Sequence, residues 1–158
     1  MDIKKYMSES MMIIDLQATN KVEIINELSS LFEKNDKITD LKGFRRALIE
    51  REEITSTAFA SGIAIPHCKS NTVKEISIAF GLHKTGVEYD SLDGKPSQLF
   101  FMIGAPEGTA YAHLECLSEI TKYLLDDDFR EELLKVQSPK EVFALLERGI
   151  IGNTEEII

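Results

Sequence analysis

Apolar residues recur along this chain with two different periods, and the switches between them predict where strands give way to helices. Met11 to Leu16, MMIIDL, is a short apolar run that predicts a first strand. Residues 1–10 carry no such pattern and are expected to be poorly ordered. From Asn20 the spacing becomes helical, with Val22, Ile25, Leu28 and Leu31/Phe32 on one face up to about Lys34. Asn20 is placed to cap the free amides, with Glu23 three residues on. After a polar turn at Asn35-Asp36-Lys37, Asp40 is a cap for a second helix carrying Leu41, Phe44, Ala47, Leu48 and Ile49 to Arg51 or Glu53.

The middle of the chain reads as strands. Gly62-Ile63-Ala64-Ile65 is short and apolar, and Pro66 biases Ile65 towards an extended backbone. Ile76 to Leu82 alternates and is rich in β-branched residues. Turn signals at Thr85-Gly86 and Asp93-Gly94-Lys95-Pro96 bracket a brief extended piece. Leu99 to Gly104, LFFMIG, is apolar at successive positions, so both faces are buried and the strand belongs centrally in a sheet covered by helices. A helix follows from about Thr109 to Leu125, with Leu114, Leu117, Ile120 and Leu124 as its inward stripe. A short one spans about Asp128 to Lys135. Ser138-Pro139-Lys140-Glu141 starts a last helix, with a cap, a proline at the first position and a capping-box glutamate, ending near Gly149. The pattern describes one α/β sandwich domain with a mixed sheet over residues 11–148, and a tail or linker at 149–158.

Composition narrows the class. At 158 residues, with 43% hydrophobic and 28% charged positions, the chain suits a single soluble domain. A formal net charge of −9, without a basic cluster, argues against a nucleic-acid binder. No apolar run is long enough to insert directly into a membrane, and the first residues lack the apolar core of a signal peptide, so a cytoplasmic location is expected. The two cysteines, Cys68 and Cys116, suit a reducing compartment and are expected as free thiols.

Candidate chemistry centres on histidine. Pro66 fixes its own backbone, so His67 is expected at a rigid strand end. His83, beside Lys84-Thr85-Gly86, reads as an exposed turn residue. His113 lies in the first turns of a helix, where it either borders the core or, kept neutral by the helix dipole, recognises a phosphate. Arg45 and Arg46 read as solvated, whereas Arg51 falls at a helix end just before the strand that leads to His67. A zinc set from His67, Cys68, His113 and Cys116 is disfavoured, because neighbours in an extended segment point to opposite faces, and no metal is expected. No nucleotide-binding glycine loop and no serine-hydrolase elbow is present. What remains is a neutral imidazole nucleophile with cationic and donor groups to steady phosphoryl oxygens, the set that phosphoryl transfer through histidine needs.

These residues resemble the enzyme IIA domains of the sugar phosphotransferase system, in the fructose, mannitol and nitrogen-regulatory group. The resemblance runs from about Met11 to Arg148. It rests on Arg51-Glu52, Thr55-Ser56-Thr57, Gly62-Ile63-Ala64-Ile65-Pro66-His67 followed by Lys69, the Asp90-x-x-Asp93-Gly94-Lys95-Pro96 turn, and His113-Leu114 opening a helix. It implies a three-layer α/β sandwich, a mixed sheet flanked by helices on both faces. It implies that His67 is the phosphoacceptor, charged by phospho-HPr and discharged to a cysteine of an enzyme IIB, without a cofactor. Enzyme IIB is either separate or fused in a longer parent chain. Arg51 and His113 match the positions that steady the phosphoryl group, and Ser56 and Thr57 are implied as further donors. The fructose type fits best; a nitrogen-type regulatory module, whose phosphorylation switches protein binding, is the alternative. Cys68 departs from the small residue usual after the histidine and raises a redox-sensitive site as a minor alternative.

Overall fold

The LFFMIG run becomes the spine of the molecule. In the computed structural model, which describes residues 2–149, it lies within β5 (Ser97–Ala105), and three strands pair with it. The long strand β4 (Ser77–Val87) runs antiparallel to it, from Ser77 opposite Gly104 to Val87 opposite Ser97. On its other side lie β2 (Ile63–Ala64) and β3 (His67–Lys69), both parallel to β5 and separated by Ile65-Pro66. The edge strand β1 (Met12–Ile13) pairs in parallel with β4 and is shorter than the apolar run from Met11 to Leu16 predicts. The sheet is therefore mixed, as expected.

Both faces of the sheet are apolar because β4 and β5 alternate between two cores. Ala79, Phe100 and Met102 point to one, with Leu28 and Phe32 of α1 (Lys21–Lys34) and Phe44 and Leu48 of α2 (Leu41–Ile54). Ile78, Phe80, Leu82, Leu99, Phe101 and Ile103 point to the other. That layer is built from α3 (Ala110–Leu124), α4 (Asp127–Leu133) and α5 (Pro139–Arg148). Each fully buried Leu, Ile or Phe contributes about 1.5–3 kcal/mol, so the three-layer sandwich follows from the alternation.

The capping signals are realised unequally. The Asn20 side chain accepts from the Glu23 amide at 2.9 Å, while Glu23 reaches back to the Thr19 amide at 2.8 Å. Ser138 and Glu141 form the full capping box, with Pro139 in the first turn. Asp40 precedes α2 but makes no side-chain cap bond. Part of residues 1–10, expected to be poorly ordered, forms 3-10 turns at Ile3–Tyr6 and Glu9–Met11, and Ile3 and Met7 bury themselves in the second core. The tail expected after Gly149 lies outside the described residues.

Two helices turn an expected inward residue to solvent. In α1, Val22 is exposed and Ile24 is buried. In α3, Leu114 is exposed, and the inward positions are His113, Cys116, Ile120 and Leu124. One residue is 100° of helix, which carries the inward position at the start of α3 from Leu114 to His113, while Ile120 and Leu124 are inward as expected. Arg45, expected to be solvated, ties α2 to α1 through Nε to Ser29 Oγ at 2.9 Å and a terminal nitrogen to the Asn26 carbonyl at 2.9 Å.

Candidate active site

His67 is delivered by a short ribbon. The segment before it doubles back at Ser61 and Gly62, which take φ of 65° and 76°, so that the Phe59 amide donates to the Ile63 carbonyl at 2.8 Å and the Ile65 amide to the Thr57 carbonyl at 3.0 Å. Glycine suits the second position because left-handed backbone strains any residue with a Cβ. The turn at 90–96 braces this reversal: Asp93 accepts from the Ser61 amide at 3.1 Å with one oxygen and from the Lys95 amide at 3.0 Å with the other. Beyond it, the Ile103 amide of β5 donates to the Pro66 carbonyl at 3.0 Å. The backbone on either side of His67 is held from two directions.

The ring itself is fixed through one nitrogen. His67 Nδ1 lies 2.7 Å from the Ile65 carbonyl oxygen. A carbonyl only accepts, so Nδ1 carries the proton and Nε2 keeps its lone pair. Nε2 makes no hydrogen bond among the described residues, and the ring lines an open cleft of about 610 Å³ with Arg51, Lys69, His113 and Ile54. Burial lowers the His67 pKa, the Ile65 bond opposes that shift, and the Arg51 guanidinium reinforces it. The imidazole is thus neutral near pH 7, which a nucleophile requires.

Arg51 and His113 come to the same cleft from opposite layers. Arg51, in the last turn of α2, donates to the Thr55 carbonyl at 2.9 Å. His113 meets His67 edge-to-face, with ring centroids 5.3 Å apart at 70°. Burial, His67, Lys69 and Arg51 push the His113 pKa down to about 4. It is a neutral donor or acceptor rather than a cation. Its Nδ1 is buried without a partner among the described residues.

The other sequence candidates divide. Lys69, two residues beyond His67 on the same strand, shares its side of the pleat and lines the cleft. Cys68, between them, packs into the first core and borders the cleft wall, and burial pushes its thiol up to about 12. A thiol raised that far holds little thiolate near pH 7, which argues against a redox-sensitive site. Ser56 and Thr57 do not line the cleft: the Ser56 hydroxyl donates to the Tyr89 carbonyl at 2.7 Å, and that of Thr57 donates to Glu52. His83, expected in an exposed turn, is buried, with Nε2 at 2.8 Å from the Ala18 carbonyl. Among the described residues, no group of three or more His, Cys, Asp or Glu could hold a metal ion. Nor is any helix there long and apolar enough to cross a membrane.

Sequence reasoning gave Glu52 no role beyond its place in the motif. Its carboxylate is buried and accepts from the Thr57 amide at 3.0 Å, from the Thr57 hydroxyl, and from the Tyr89 hydroxyl at 3.2 Å. Lys21 pairs with it at 3.2 Å. An acidic residue beside Arg51 on a helix carries no local sign of burial. The available signal was the nearby hydroxyl pair at Ser56-Thr57.

Residues 5–149 match the family described as phosphoenolpyruvate-dependent sugar phosphotransferase system, EIIA 2. The chain is 35% identical, over 92% of its length, to a fructose-specific EIIABC component from Bacillus subtilis, of which it covers 23%. It is 36% identical over 67% of its length to a fructose-specific EIIA component from Haloferax volcanii, covering 69% of that protein. Its fold matches the nitrogen regulatory protein IIA-Ntr of Neisseria meningitidis with a TM-score of 0.86 and 31% identity, over 91% of this chain and 98% of that one. The chain belongs to the EIIA 2 family of the phosphoenolpyruvate-dependent sugar phosphotransferase system.

Proposed function

We propose that this protein is a phosphocarrier in which His67 Nε2 takes a phosphoryl group from phospho-HPr and passes it to a cysteine of an enzyme IIB. The observation that carries this is the His67 ring, its Nδ1 held on the Ile65 carbonyl and its Nε2 left open to the cleft. In the forward step the Nε2 lone pair attacks phosphorus while the bond from phosphorus to the donor nitrogen breaks. The proton stays on Nδ1 throughout, donated to the Ile65 carbonyl. Arg51 and Lys69 offset the negative charge on the equatorial oxygens, and neutral His113 is placed beside the ring as a donor. Ile54 and Leu114, both exposed at the rim, provide an apolar collar for a protein partner.

Fructose uptake is the favoured role, supported by the two fructose-specific relatives at 35% and 36% identity. The likeness to a nitrogen regulatory protein at 31% identity supports the second reading, a phosphorylation-switched binding module. Incubation with phosphoenolpyruvate, enzyme I and HPr, followed by mass spectrometry, tests the carrier reading. Wild-type protein gains one acid-labile phosphoryl group and His67→Ala gains none. An unlabelled wild type, or a fully labelled His67→Ala, overturns it. Adding fructose-type enzymes IIB and IIC with fructose then separates the two roles: loss of the label with formation of a sugar phosphate supports transport.

A further inference from the structure

A buried carboxylate is costly to hold away from water unless its lone pairs are taken up, and Glu52 has four partners. Those partners are not distributed at random. Two belong to Thr57, whose amide and hydroxyl both donate to the carboxylate, so the Thr57 peptide is fixed in position and in rotation. The carbonyl of Thr57 then accepts from the Ile65 amide at 3.0 Å, and the carbonyl of Ile65 accepts from His67 Nδ1 at 2.7 Å. Three consecutive hydrogen-bonded links thus lead from Glu52 to the reactive ring. The remaining partners immobilise the carboxylate. Lys21 of α1 bridges Glu52 at 3.2 Å and Asp90 at 3.3 Å, with its ammonium 4.7 Å from the centre of the Tyr89 ring, and the Tyr89 hydroxyl donates to the carboxylate.

We propose that Glu52 is a positioning residue for His67, acting through Thr57 and Ile65 to hold the imidazole with its proton on Nδ1. The proposal rests on the phosphocarrier reading for its consequence, but not for its geometry. Adjacent residues of α2 work on one ring from two sides. Arg51 lines the cleft where the phosphoryl group lands, and Glu52 anchors the ribbon behind the ring. Pro66 makes the anchoring effective. It lacks an amide proton and fixes its own φ, so the Ile65 carbonyl direction depends on the bonds made at Ile65 N and Pro66 O. If the ribbon is released, the ring samples the other tautomer, whose Nε2 carries the proton and cannot attack.

The test reads the tautomer of His67 directly, by long-range nitrogen–proton correlation NMR on the unphosphorylated protein, together with the rate of phosphoryl transfer from phospho-HPr. In the wild type, His67 is in the Nδ1–H form. In Glu52→Ala both tautomers are populated and kcat falls about tenfold, with little change in KM because the docking surface is untouched. Glu52→Gln keeps an acceptor for the Thr57 amide and restores most of the wild-type behaviour. A carboxylate that served stability alone would lower the melting temperature without moving the tautomer, and that result overturns the proposal. Should Glu52→Ala not fold, Thr57→Val keeps the side-chain volume and removes the hydroxyl bond. It is expected to shift the tautomer part-way, and an unshifted tautomer there overturns the proposal equally. Failure of the carrier reading is separately visible, since the NMR comparison needs no phosphoryl donor.

Discussion

His67 and His83 are both histidines at the end of short apolar runs, and both hydrogen-bond a backbone carbonyl through one ring nitrogen. They differ at the other nitrogen. His83 Nε2 lies 2.8 Å from the Ala18 carbonyl, so it donates, and Nδ1 accepts from the Gly86 amide at 3.0 Å. Both of its nitrogens are spent on joining the loop before α1 to the bend in β4. His67 spends only Nδ1; Nε2 makes no hydrogen bond among the described residues, and the ring lines the open cleft with Arg51 and Lys69. Whether a histidine's second nitrogen is satisfied within the fold decides whether it is available for chemistry, and the identity of the residue says nothing of that.

The sharpest way to probe this contrast is to remove the charge beside the open nitrogen. Arg51→Ala is expected to slow phosphoryl transfer by about a hundredfold, the scale of losing one oriented group at a developing charge. Its hydrogen bond is to the Thr55 carbonyl at an exposed helix end, so the circular dichroism spectrum should be unchanged. Wild-type transfer kinetics in that variant would remove Arg51 from the site.

A second prediction concerns pH. His113 is held down to about 4 in the folded protein against about 6.5 in the unfolded chain, so between those values the unfolded state binds more protons. Stability therefore rises with pH from about 4 to about 6.5, is fully present above that window, and is lost as pH falls through it. The full shift corresponds to about 3 kcal/mol, which solvent screening at the half-open cleft reduces to an expected loss of about 2 kcal/mol. His67, also lowered, contributes with the same sign. Urea unfolding at several pH values should show the slope, reduced but not abolished in His113→Gln.

The smallest effect is expected at the structural histidine. His83→Gln should cost about 1 kcal/mol in denaturant unfolding and leave phosphoryl transfer at its wild-type rate. A slowed transfer there would break the contrast between the two rings, since it would connect the Ala18 corner to the cleft.

Much of the fold was legible because it depends on period and on local chemistry. The apolar stretch in β5 announced a central strand, and Ser138-Pro139-Lys140-Glu141 announced a helix start, because those patterns act within a few residues. Failures came where a partner far along the chain decided the outcome. Arg45 was read as solvated because its acceptors are in another helix, sixteen and nineteen residues away. Leu114 was assigned to the core because leucine is apolar. The fold turns His113 inward instead, where it faces His67. Ser56 and Thr57 were read as donors to the site, and their hydroxyls are engaged behind it.

By itself the sequence determined the alternation of strands and helices, the central buried strand, and a histidine on a proline-stiffened stem. Those follow from side-chain period and backbone restriction, which are local. Only the tertiary structure decided which nitrogen of His67 is free, that His113 stays neutral, that Cys68 faces the core, and that Glu52 lies behind the site. Each of these is set by burial and by hydrogen bonds between residues distant in sequence, and neither quantity exists until the chain has folded.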